Sequence, residues 1–140
     1  MLKRLIYGSQ AIEANSTNLR EILTVSRTRN PEAGITGALC LLDAVYLQYL
    51  EGDELAVEAL YARIEADARH RAPVVLDRTF IAVRQFPEWS MALVKRDERI
   101  RALMGFHGLQ LPSITDGDIA HRHAAAFFRA LATTPNWVPL

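Results

Sequence analysis

The chain has a single cysteine, Cys40, in 140 residues, so no disulfide can close within it and a disulfide-stapled scaffold is excluded. It has no excess of either charge: 16 Lys and Arg stand against 16 Asp and Glu, and no overall basic field invites nucleic acid. Long apolar runs are missing too. Gly37-Ala38-Leu39-Cys40-Leu41-Leu42 stops at Asp43, far short of the roughly 20 residues that span a bilayer. The N-terminus lacks the charged, apolar and small-residue order of a secretory signal, which points to a cytoplasmic protein. No Gly-rich phosphate loop, zinc-ligand spacing, nucleophile elbow or Ser/His/Asp arrangement is visible, so hydrolytic and metal-dependent chemistry lose their usual anchors. Internal repeats and low-complexity tracts are also lacking. What is present, 50% apolar and 23% charged residues, is the composition of one globular domain.

Leu5-Ile6-Tyr7 running into Gly8-Ser9 reads as a first strand. Asn15-Ser16-Thr17-Asn18 is a cluster of capping residues, and Asn18 with Glu21 has capping-box spacing, so a helix is expected from there. Leu19, Ile22, Leu23 and Ser26 recur on its inner face, and Pro31 predicts its end at Asn30. Ile35 to Leu42 is apolar enough for a strand buried on both faces, and Val45 to Leu50 follows across Asp43-Ala44 as the second arm of a hairpin. Glu51-Gly52-Asp53-Glu54 places carboxylates where a second helix would start, and Arg69-His70-Arg71 places cations where it would end. Val57, Leu60, Tyr61 and Ile64 form its stripe. Pro73 opens a fourth strand, Val74 to Arg84, whose charges suit a sheet edge. Trp89, Met91 and Leu93 alternate in a fifth.

The order β-α-β-β-α-β-β predicts an α+β, ferredoxin-like sandwich: a five-stranded mixed sheet, two helices on one face, and further helices at the C-terminus. Right-handed crossovers put both helices on the same face and leave the other bare. A tail helix around Phe127 and Phe128, or a second subunit, is expected to cover it. The chain therefore divides into a domain over 1–96 and a helical extension over 97–140 for output or assembly.

Gln48 is the oddest side chain. Alternation puts it on the face of Tyr46 and Leu50, in mid-sheet, where an unpaired amide costs about 1–3 kcal/mol. Tyr7 is a natural partner if the first and third strands adjoin. A phenol–carboxamide pair facing two helices would be a polar patch in an apolar cleft, the usual character of a small-molecule site. Taken singly, the bland readings hold: Gln48 satisfied by backbone, Tyr7 a core aromatic, Asn30 a helix cap, Arg69 and His70 partners of a helix dipole, Cys40 a small core residue.

Taken in order, these segments resemble a BLUF domain, the flavin-binding blue-light sensor family, from about Leu2 to Val94. Leu5-Ile6-Tyr7-Gly8-Ser9 resembles the family's first strand with its photoactive tyrosine. Arg29-Asn30 followed by Gly34-Ile35-Thr36-Gly37-Ala38-Leu39 resembles its Asn and "ITG" strand entry. Tyr46-Leu47-Gln48-Tyr49-Leu50-Glu51-Gly52 is similar to "F-x-Q-x-L-E-G". Asp67-Ala68-Arg69-His70 resembles "D-x-R-H", and Phe86-Pro87-Glu88-Trp89-Ser90-Met91 resembles "F-P-x-W-S-M". Arg29 stands where relatives often carry His or Asn, and Ala44 makes an atypical turn.

The resemblance implies a flavin ring between the first two helices, walled by Ile22 and Ile64. Asn30, Arg29, Arg69 and His70 would hold or pack against its polar edge. FAD is the expected cofactor, with FMN and riboflavin as alternatives. Tyr7 and Gln48 would be the photoactive pair, the phenol giving up an electron with a proton and the amide bridging phenol and flavin N5. Trp89 and Met91 would carry the switch along the fifth strand to the C-terminal helices. A stand-alone, non-enzymatic sensor follows, homo-oligomeric and acting on an effector protein, with no membrane or direct nucleic-acid contact. The rivals are a small hydrolase of the acylphosphatase type, which needs an anion-binding loop not seen after the first strand, and a regulatory ligand-binding domain without photochemistry.

Overall fold

The run Val45 to Asp53, rich in aromatic and aliphatic residues and buried on both faces from Tyr46 to Gly52, builds strand β3, the axis of the sheet. In this computed structural model β3 lies between β1 (Leu2–Ala11) and β2 (Thr36–Leu42), antiparallel to both. The structure describes residues 1–11, 29–42, 45–66, 70–87, 92–94, 118–131 and 137–138. β4 (His70–Phe80) adds to the outer side of β1, β5 (Ala92–Val94) runs parallel to β2, and β6 (Trp137–Val138) pairs with β5. The order is β4-β1-β3-β2-β5-β6. The α+β architecture is as expected, and the two-residue β6 extends the five expected strands by one.

Four boundaries differ from the sequence expectation: the end of the first helix, the start of the second, and both ends of the fourth strand. The first helix, α1, is described over 29–33 and runs past Asn30 through Pro31. It closes instead at Gly34, whose φ of 70° only glycine adopts freely. The Ile35 amide donates to the Asn30 carbonyl at 2.9 Å and the Gly34 amide to Pro31 at 3.2 Å, the paired bonds of a Schellman end. The second helix, α2 (Glu54–Glu65), starts after Glu51 and Gly52, which belong to β3. Asp53 caps it, accepting the Leu55 amide at 3.2 Å. At its other end His70 and Arg71 are not helical cations but the start of β4, where they pair with Ala11 and Gln10. β4 thus begins before Pro73 and ends at Phe80 rather than Arg84. An edge strand tolerates Pro because its missing N–H faces no partner, and register shifts against β1 break the ladder further.

The two sheet faces have separate cores. On one, Leu5, Tyr7, Ile35, Leu39, Tyr46 and Leu50 pack with Val57 and Tyr61 of α2. On the other lies α3 (Asp118–Leu131), inside the expected tail helix, whose buried Ala124, Phe127 and Phe128 fall at i, i+3 and i+4. Phe128 meets Tyr49 of β3 at 5.4 Å between ring centroids. Burying each phenylalanine contributes about 2–3 kcal/mol, so α3 is a packed layer that covers the bare face as the topology required. Cys40 is fully buried in β2, and that burial pushes its thiol well above the ordinary range, as expected for a core residue.

Close strand approach leaves the least room at Gly37. A Cβ on Gly37 would overlap the backbone carbonyl of Tyr49 across the β2–β3 ladder, where nothing flexible can yield. Gly37→Ala is expected to destabilise the fold by about 3 kcal/mol, read as a lowered midpoint in urea unfolding with unchanged m.

Candidate functional site

The β1–β3 register sets Tyr7 directly opposite Gln48, and the β2–β3 register sets Leu39 on its other side. Directly paired residues have Cβ atoms about 5 Å apart on one face, close enough for a phenol to reach a carboxamide. The Tyr7 hydroxyl donates to the Gln48 side-chain carbonyl, Oε1, in a buried bond. Both residues are nearly inaccessible, at 3% and 2% exposure. Tyr61 of α2 packs edge-on against Tyr7 at 5.5 Å, and Arg78 lies over the Tyr61 ring at 5.9 Å. Burial and then the Glu65 carboxylate raise the Tyr61 hydroxyl above its ordinary range, with Arg78 opposing them.

The other expected site residues divide. Asn30 is buried in the last turn of α1, next to Arg29, which is exposed. Ile64 is half-buried and packs against the α2-side core. His70 is placed by its backbone at the head of β4, opposite Ala11. Ile22, Arg69, Trp89 and Met91 lie outside the described residues.

One constellation escaped the sequence reading. Glu51 is fully buried, three residues after Gln48 and on the opposite face of β3. Its carboxylate accepts the amide of Gln85 at 2.7 Å, the amide of Phe86 at 2.7 Å and the hydroxyl of Thr36 at 2.9 Å. Arg84 closes the cluster, donating to Thr36 Oγ1 at 2.9 Å, to the Glu51 carbonyl at 3.3 Å and to the Gly34 carbonyl at 2.7 Å. The cluster ties the end of α1, β3 and the turn after β4 into one unit. Beside it, burial and the Glu51 charge push the Tyr49 hydroxyl far above its usual range, with Arg4 opposing. The available signal was the alternation itself, which puts an acidic residue on the face of Leu47 and Tyr49.

Fold and pair together define an α+β domain with a buried phenol–carboxamide contact at the centre of its sheet. A family model described as BLUF, sensors of blue light using FAD, matches residues 2–92, and the chain belongs to that family. Among known proteins it is similar to the photoactivated adenylate cyclase subunit beta of Euglena gracilis, 33% identical over 93 residues. That match covers 64% of this chain and 11% of the cyclase, so the chain spans about a tenth of that relative's length. The blue light- and temperature-regulated antirepressor BluF of Escherichia coli (strain K12) is 29% identical over 109 residues, 74% of this chain and 27% of that protein. Among solved structures, BlsA in its photo-activated state superposes with a TM-score of 0.79 at 29% identity, covering 97% of this chain and 98% of that one. The dark-state BLUF protein BlrB gives 0.70 at 35% identity, covering 89% and 96%. The hydrolase and plain regulatory readings are not favoured by these matches. Among the described residues no helix is long and apolar enough to cross a membrane.

Proposed function

We propose that the chain is a blue-light sensor in which Tyr7 and Gln48 form the photoactive pair of a non-covalently bound flavin, FAD by preference. The observation that carries this reading is the buried Tyr7–Gln48 hydrogen bond. The donor set fits a flavin: Asn30 brings one amide donor and one acceptor, as a ring imide requires, on the helix preceding β2. Ile64 and the α2 stripe bring apolar surface, and no metal-ligand cluster occurs among the described residues. Asn30, Arg29, Arg69 and His70 are proposed to hold the polar edge, and Ile22 and Ile64 to wall the ring.

When bound, flavin supplies blue-light absorption and an excited-state electron acceptor. Tyr7 would be the phenol that donates one electron to it, with the hydroxyl proton passing along the bond to Gln48 Oε1, and both would return to the phenol when the cycle closes. The Gln48 amide has ends of opposite hydrogen-bond character, so rotation or tautomerisation exchanges donor for acceptor without changing charge. A new donor at the ring's carbonyl edge would redden the absorption. Trp89 and Met91 are proposed to carry the change along β5 to the extension over 97–140. That extension would act on an effector protein from within a homo-oligomer in the cytoplasm, with no catalysis of its own.

Purified protein supplied with FAD is expected to turn yellow and, under blue light, to show a small red shift of its visible band that reverses in the dark. An unaltered spectrum of the pigmented protein would overturn the reading.

A further inference from the structure

Gln48 faces α2, but its neighbours on β3, Tyr49 and Glu51, face α3, so one strand touches both the site and the C-terminal helix. Burying a carboxylate is costly unless it is fully hydrogen-bonded, and Glu51 meets that condition with two consecutive backbone amides and one hydroxyl. Those bonds fix the backbone at Gln85 and Phe86 and so direct the Phe86 ring. The ring stands edge-on to Tyr49 at 5.0 Å and to Phe128 of α3 at 6.5 Å, with Tyr49 and Phe128 in contact at 5.4 Å. An apolar side chain could fill the volume of Glu51 but could not hold two adjacent amides.

We propose that Glu51 is a positioning residue for light output: by seating Phe86 against Tyr49 and Phe128, it couples the strand that carries Gln48 to helix α3. The proposal rests on the reading of Gln48 as the photoactive amide. Rearrangement of that amide displaces β3 where Tyr49 is the adjoining residue. Beside the route along β5, this displacement passes to α3 through the three rings while they touch, since dispersion contact fades within an ångström of separation. Arg84 supports the arrangement by anchoring the same turn to Thr36 and Gly34.

The test uses the full chain with FAD bound, measuring amide hydrogen exchange over 124–131 in darkness and under blue light, with the visible spectrum of the same sample. Wild type is expected to red-shift and to change its exchange there on illumination. Glu51→Gln replaces one carboxylate oxygen by an NH2 that cannot accept, so one of the two amides loses its acceptor. This variant should keep its red shift while its light-dependent exchange difference falls about threefold or more. Phe86→Leu, with Glu51 intact, should lose the difference in the same way and decides the matter should Glu51→Gln fail to hold flavin. The proposal is overturned if both variants retain the full difference, if exchange rises equally in dark and light with the difference preserved, or if wild type red-shifts without any change over 124–131. Absence of a red shift in wild type would instead remove the photosensor reading, and this coupling with it.

Discussion

Tyr7→Phe is expected to eliminate the light-induced red shift while leaving flavin bound. The substitution removes one oxygen and keeps the ring, so the edge-on contact with Tyr61 at 5.5 Å and the apolar packing survive. What disappears is the hydroxyl that donates to Gln48 Oε1 and, with it, the phenol proposed to supply an electron and a proton. Fluorescence of the bound flavin should rise, because the phenol proposed to drain its excited state is gone. The buried Gln48 carbonyl loses a donor, so stability should fall by about 1–3 kcal/mol. Light-minus-dark difference spectra check the first outcome and urea unfolding the last. A normal red shift in this variant would take Tyr7 out of the mechanism.

The contact between Tyr7 and Gln48 was legible because strand alternation and element order are enough to determine it. Strand alternation fixes which face Gln48 takes, and the β-α-β-β order places β1 beside β3. The five short motifs then supplied the resemblance on which the proposed chemistry rests, since a buried Gln beside a Tyr is equally a satisfied core amide. The tail helix was legible as a consequence: two helices on one side left a bare face, and Ala124, Phe127 and Phe128 cover it.

Glu51 was misplaced for a physical reason. Acidic residues beside Gly52 resemble a helix start, because the helix dipole favours carboxylates there. The amides that satisfy Glu51 lie 34 and 35 residues downstream, where no local rule reaches. The boundary at Pro73 failed likewise: Pro often stands at the first residue of a strand, but on an edge strand its missing donor costs little inside it as well. Pro31 misled because two capping bonds beyond it sustain the helix to Gly34.

Gln48→Leu is expected to give the second total loss of the red shift, through the other half of the bond. Leucine is of similar volume and suits the apolar face of Tyr46 and Leu50, so the sheet should form. On the proposed mechanism Tyr7 would still be able to release an electron, but its proton would have no amide to follow and no amide would remain to exchange donor for acceptor. Because the aliphatic side chain would leave the buried Tyr7 hydroxyl without the acceptor it now uses, this variant too should lose about 1–3 kcal/mol. Combining Tyr7→Phe with Gln48→Leu removes both partners at once, and a buried bond deleted as a pair costs far less than either half. The double variant should therefore be more stable than the sum of the single losses predicts, by about 1–2 kcal/mol in a double-mutant cycle, and equally blind to light. Strict additivity would mean that the two side chains do not share a bond in solution, and a red shift surviving in Gln48→Leu would show that the switch lies elsewhere on the strand.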